Sequence, residues 1–202
     1  MNKNLFLLCR NLLAFGLGAL LVTGCSPVSP QVTYYSLLDS SQTTAAVHAQ
    51  EQRSLLIGPI SIPDILKTSQ IATGGAEGQY QLSEFHRWVS EVDHDFARAL
   101  GEQLAARMGT EQIALYPSTS YQEPAQQIVV DILAMEGGLG TAAKLTVRWS
   151  LIDPKSKKAR LTRRSTFSEH PADATYGVWV AGQRRNINRL GEEIAAVIRS
   201  AP

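Results

Sequence analysis

A cysteine at position 25 decides which part of this chain is free to fold. It closes the run Leu21-Val22-Thr23-Gly24-Cys25, behind a start that carries Lys3 and Arg10 and an apolar stretch from Leu12 to Val22. A basic start, an apolar middle and small residues before the cut make a secretory signal, not a structural helix. A cysteine directly after the cut makes the motif a lipobox: its thiol takes a diacylglyceryl group, and its freed amine then takes an N-acyl chain. Residues 1–24 are therefore read as a signal peptide and Cys25 as a lipidated N-terminus. Two or three acyl chains, at about 0.8 kcal/mol per buried methylene, hold a protein stably on a bilayer. Asp after the lipobox cysteine is the usual signal for retention at the inner membrane, and Ser26 stands there instead. The expected address is the periplasmic face of the outer membrane, with its inner leaflet as the first partner.

The same cysteine removes one means of stabilisation. Cys9 leaves with the signal and Cys25 takes lipid, so the mature domain has no thiol for a disulfide even in an oxidising compartment. Packing must supply the stability. Residues 25–32, with Pro27 and Pro30 among small polar neighbours, read as a tether, and 33–202 as one domain. The chain has 19 Lys and Arg against 18 Asp and Glu, and Lys3 and Arg10 are lost on cleavage. A nearly neutral domain lacks the basic excess that nucleic-acid binding needs.

Pattern predicts an α+β fold, a largely antiparallel sheet packed by two main helices in a two-layer sandwich. Val32 to Leu38 is the expected first strand, Asp39 to Arg53 a polar loop, and Ser54 to Ile62 a buried strand that Pro59 and Pro63 push to an edge or a bulge. Gln70–Thr73 and Gln79–Leu82 flank Gly74, Gly75 and Gly78 as a hairpin. Val92, Phe96, Leu100, Leu104 and Met108 mark a helix, with Ser90 and Asp93 as its capping box and Gly109 as its stop. A short strand at Ile113–Tyr116 precedes a meander: Gln126–Met135 in a central position, Lys144–Ile152 with strict alternation, then Ala159–Ser168. Asp173 is the expected cap of a last helix running to about Ile198, with Ile187, Leu190, Ile194 and Val197 as its stripe.

Chemistry-bearing patterns are weak. Gly138-Leu139-Gly140-Thr141-Ala142-Ala143 loosely fits a phosphate-binding fingerprint, but it leads into a period-two strand, where a phosphate site must open a helix. It reads as a hairpin turn. Asp93-His94-Asp95, with Glu91 nearby, suggests a metal, yet successive helix positions point about 100° apart and diverge. The expected metal is none. No GxSxG, SxxK or HExxH pattern occurs, and no catalytic residue is assigned. Lys158, Arg160 and Arg164, in the most basic stretch, are candidates for contact with an anionic surface. Tyr34, Tyr35, Trp88 and Trp179 are large aromatics of the kind favoured at interfaces, but taken singly each is read first as a core residue.

The lipobox, the Pro-containing tether, Tyr34-Tyr35-Ser36-Leu37, Ile57-Gly58-Pro59-Ile60 and then His86-Arg87-Trp88 before an amphipathic helix resemble, in that order, the ABC-type transport auxiliary lipoproteins, the PqiC-like family. The likeness extends over most of the mature chain, including the Trp149 strand and the terminal helix. Val89-Ser90-Glu91-Val92 departs from that family's pattern of a small residue, an acid and Pro-Leu, so the helix entrance is expected to differ. The resemblance implies a non-enzymatic component of an intermembrane lipid transport system, without a cofactor beyond the lipid on Cys25. It implies an MCE-domain periplasmic protein as partner, whose tunnel this protein docks to the outer membrane, and a ring-shaped homo-oligomer. Tyr34, Tyr35, Arg87 and Trp88 are the residues it suggests for partner or subunit contacts. Rival readings are a periplasmic carrier holding one hydrophobic ligand and an assembly factor of the outer membrane.

Overall fold

The computed structural model describes residues 30–39, 54–118 and 124–200. The signal segment, Cys25, most of the tether and the loop at 40–53 lie outside the described residues. The strands are β1 (Thr33–Tyr35), β2 (Leu55–Ser61), β3 (Gln70–Gly74), β4 (Tyr80–Trp88), β5 (Ile113–Leu115), β6 (Gln126–Glu136), β7 (Ala143–Asp153) and β8 (Lys158–Glu169). Helix α1 (Val92–Met108) follows β4, and α2 (Tyr176–Ser200) closes the chain.

Alternation in β7 is the clearest link from sequence to packing. Leu145, Val147, Trp149 and Leu151 are buried under the helices, while Lys144 and Arg148 between them are exposed. Fully burying each such side chain stabilises by roughly 1.5–3 kcal/mol. β6 shows the same period, with Ile128, Val130 and Ile132 buried, and it lies centrally in a five-stranded sheet of order β5-β2-β6-β7-β8. The expected α+β architecture is found, and its strands divide between two mixed sheets. In the larger one, β2 pairs in parallel with β5 and β6, and the β6-β7-β8 meander is antiparallel. A three-stranded sheet, β1-β4-β3, joins β1 to β4 in parallel and β3 to β4 antiparallel. Helix α1 lies over β2 and β5, α2 lies over β7 and β8, and the two helices pack on each other.

The proline expectation in β2 is met by both devices at once. Gly58 and Pro59 together face one residue of β6, a bulge, and β5 pairs only with Leu55 to Ile57, leaving the proline half with a free edge. The missing proline N–H therefore costs the ladder nothing.

Both helix caps differ from expectation. The N-cap of α1 is Glu91, without a side-chain cap bond, and the Asp93 carboxyl accepts from the adjacent His94 N–H at 2.9 Å. Ser90 thus falls one position too early for a capping box. Gly109 does end the helix, in the left-handed conformation. At α2 the cap is Thr175, whose Oγ1 accepts from Val178 N–H, and Asp173 braces it by accepting from the Thr175 N–H and hydroxyl.

The two sheets are joined by a pair of glycines. Gly74 ends β3 and Gly137 follows β6; each N–H donates to the other's carbonyl, at 2.9 and 2.7 Å. Gly137 holds φ +118, and a Cβ there would sit 2.2 Å from the Ala142 carbonyl oxygen.

Candidate functional site

The aromatic and basic residues singled out in sequence meet at one junction. Parallel pairing sets Thr33 beside His86, Tyr34 beside Arg87 and Tyr35 beside Trp88. Paired residues share a face, so Tyr35 and Trp88 turn to the core while Tyr34 and Arg87 turn outward. Trp88 is 4% exposed and lies 6.3 Å from the buried Trp179, whereas Tyr34 is 60% exposed. The Tyr35 hydroxyl and His86 Nδ1 share a hydrogen bond of 2.9 Å, and the His86 ring stacks on Tyr176 at 4.0 Å. Partial burial, then the nearby Tyr176, raise the Tyr35 phenol above the ordinary tyrosine range. Among the described residues, Arg87 Nε, Trp88 Nε1 and Trp179 Nε1 are buried without a hydrogen-bond partner.

Just past β1 the chain is clamped from both helices. Asp95 of α1, 2% exposed, accepts from Ser36 Oγ at 2.9 Å and from the Leu37 N–H. Arg184 of α2 donates through Nε and Nη2 to the Ser36 carbonyl, at 3.0 and 2.8 Å. The strand nearest the expected tether is thereby fastened to β4, α1 and α2. In sequence Asp95 reads only as a first-turn acid, and the spacing of Arg184 carries no signal for a contact so distant along the chain. The buried amides of Gln183 and Asn186 were missed for the same reason. They donate to the carbonyls of Glu136, Lys144 and Ala143 and tie α2 to the β6–β7 end of the sheet.

The basic residues occupy several settings. Lys158 is exposed at the hairpin end. Arg160 pairs with Asp153 at 2.6 Å. Arg164 stands directly opposite Arg148 on the outer face of the large sheet, between hydroxyl pairs Thr146–Thr166 and Ser150–Thr162. The hydrogen bond from Arg160, followed by the Ser156 N–H, holds the Asp153 carboxyl at about 2. A depressed carboxyl contributes stability above its unfolded value near ~3.9 and loses it as pH falls toward that lower midpoint. Arg160→Gln is expected to move the Asp153 midpoint upward, short of the unfolded value because the Ser156 and Lys155 amides still donate. A carbon-13 NMR titration of the carboxyl reads this directly.

Asp95 turns inward, but ligand atoms of Glu91, Asp93 and His94 gather within 4.8 Å of one another at the α1 entrance. These groups border solvent, and an acidic first turn is what the helix dipole favours. The Gly138 segment is a turn: Thr141 donates its N–H and hydroxyl to the Gly138 carbonyl before β7 begins. Beside the α1 entrance lies a cavity of about 500 Å³, lined by Ile62, Leu66, Trp88, Val89 and Val92 with Lys67, Ser90, Glu91 and Asp93 among its polar neighbours. It occupies the stretch where the sequence departs from the family pattern. No helix among the described residues is long and apolar enough to cross a membrane.

A crystal structure of an uncharacterized protein superposes with TM-score 0.67 at 16% identity, over 83% of this chain and 99% of that one. Protein XCC0632 from Xanthomonas campestris superposes with TM-score 0.64 at 14% identity, over 81% and 93%. A weaker likeness, TM-score 0.43 at 13% identity over 67% and 83%, is to the PelC dodecamer from Paraburkholderia phytofirmans. The first two likenesses show the fold alone. No curated protein matches the chain in sequence. The family model for the ABC-type transport auxiliary lipoprotein component matches residues 35–195, and the chain belongs to that family.

Proposed function

We propose that this protein is a non-catalytic, outer-membrane component of an MCE-type intermembrane lipid transport system, docking the partner's periplasmic tunnel to the outer membrane as a ring of copies. The observation that carries the reading is the family match over 35–195 behind a lipobox at Cys25. The clamp at Ser36 and Leu37 supports it, since a docking protein takes load where its tether enters the fold. In that role Tyr35 and Trp88 act from behind, holding the strand that carries Tyr34. Lipid would move through the partner, and this chain would supply placement.

Cross-linking in cells that express the acylated full-length protein tests the role. Mass spectrometry of the products is expected to recover an MCE-domain protein together with further copies of this chain. Recovery of neither removes the docking role.

The carrier reading has one observation in its favour, the cavity of about 500 Å³ at the α1 entrance. That volume lies in the range of small-molecule pockets, and its lining mixes the buried Leu66, Trp88 and Val92 with the polar Lys67, Ser90, Glu91 and Asp93. Native mass spectrometry separates the readings. A carrier retains one ligand per chain, whereas a docking ring shows oligomers without one.

A further inference from the structure

The outward faces of the two sheets differ sharply in chemistry. On the large sheet, Thr146, Arg148, Ser150, Thr162, Arg164 and Thr166 present hydroxyls and charge. On the small sheet the outward side carries exposed apolar side chains beside Gln70 and Arg87. Among the described residues, the large apolar side chains left exposed are Val32, Tyr34, Tyr80, Leu82, Phe85 and Val89, with Tyr116 alone elsewhere. All six belong to β1 and β4 or border them.

Strand register places most of this set on one face. Tyr34 and Gln70 both pair with Arg87, Ala72 pairs with Leu82, and Gly74 pairs with Tyr80. Gln70, Ala72 and Gly74 alternate onto the same side of β3, so Tyr34, Leu82 and Tyr80 share that side. The irregular stretch of β4 between Leu82 and Arg87 adds Phe85, 38% exposed. Folded monomers rarely gather exposed apolar side chains in this way unless the patch meets something.

We infer that this face rests on the bilayer to which Cys25 anchors the chain. The inference depends on the lipid-anchor reading. Val32 is itself part of the patch, and the stretch from Cys25 to Val32 spans at most about 25 Å when fully extended, at roughly 3.3–3.6 Å per residue. The acyl chains therefore hold this face within reach of the headgroups at all times. Tyrosines bordering aliphatic residues suit that depth, because the rings are amphipathic and concentrate at membrane interfaces. Exposed Glu77 and Glu84 on the same hairpin offset the charge of Arg87 beside Tyr34, so the contact is driven by apolar burial and works on a zwitterionic surface.

The mature domain has no cysteine besides Cys25, so a single introduced thiol labels selectively. Acylated Leu82→Cys and Thr162→Cys proteins, purified from membranes in detergent, labelled with an environment-sensitive fluorophore and reconstituted into phosphatidylcholine vesicles, provide the test. The label at 82 is expected to shift to the blue and to be quenched by nitroxide lipids, at any protein density, while the label at 162 does neither. If the protein floats with the vesicles but the label at 82 behaves like that at 162, the bilayer contact is overturned and the anchor stands. A shift at 82 that appears only as surface density rises assigns the face to a second copy and also overturns it. If mass analysis finds Cys25 unacylated and the protein does not float, the anchor reading falls and takes this inference with it.

Discussion

Gly137→Ala is expected to cost about 3 kcal/mol or more, enough to remove much of a typical domain's ~5–15 kcal/mol. Two effects add. A positive φ of +118 is open to glycine alone among the usual residues, and the new Cβ would lie 2.2 Å from a backbone oxygen that has nowhere to go. Relaxing that clash moves Gly137 away from Gly74 and breaks the pair of hydrogen bonds that joins the two sheets. Gly138→Ala is the control. Its added Cβ comes no closer than 3.4 Å to Thr141 Oγ1, and its φ is ordinary. Urea unfolding of both variants should show a large drop in midpoint for the first and little change for the second.

Trp149→Ala should rank next, at about 3–5 kcal/mol, because a fully buried indole leaves a cavity that the surrounding sheet cannot fill. The residue has a second function in the fold. Its Nε1 donates to Glu193 on α2 at 3.0 Å, and Ser165 of β8 donates to the same carboxyl oxygen at 2.7 Å. Trp149→Phe keeps most of the volume and one of the two donors, so its expected cost is about 1–2 kcal/mol. Equal losses for the two variants would show that the hydrogen bond, and not the packing, carries the effect.

These two positions differ in how far they could be read in advance. Trp149 lies in a strand of strict alternation, and period two alone puts it on the buried side. The four-residue recurrence from Val92 to Met108 announced α1 equally well, and Gly109 its end. Gly137 was legible only as part of a turn. Its role as the seam needs Gly74, at the end of another hairpin, and nothing in either segment points to the other. The N-caps failed for a smaller reason: Ser90 and Asp173 are good capping residues, but they lie one and two positions before the residues that became the caps.

The candidate site divides in the same way. Tyr34, Tyr35, Arg87 and Trp88 were noticed through aromatic content and family resemblance, and the parallel β1–β4 ladder then brought them together. Their division into a buried pair and an outward pair follows from that register. Asp95 and Arg184, which fasten the chain at Ser36, carried no local signal. The basic stretch around Lys158 looked like one patch, and the fold spread it out, committing Arg160 to Asp153 and setting Arg164 against Arg148.

By itself the sequence determined the lipobox pattern with only one cysteine after it, at Cys25 itself, the positions of both helices, and the buried faces of β7 and β8. Those features depend on neighbours within a few turns or a few strand residues, so they are written locally. Tertiary structure alone decided that the strands form two sheets, that glycines join them, that two helices clamp the residues after β1, and that most of the exposed apolar side chains gather on the small sheet. Each of these depends on which distant segments pair and in what register, and pairing is settled by the packing of the whole core.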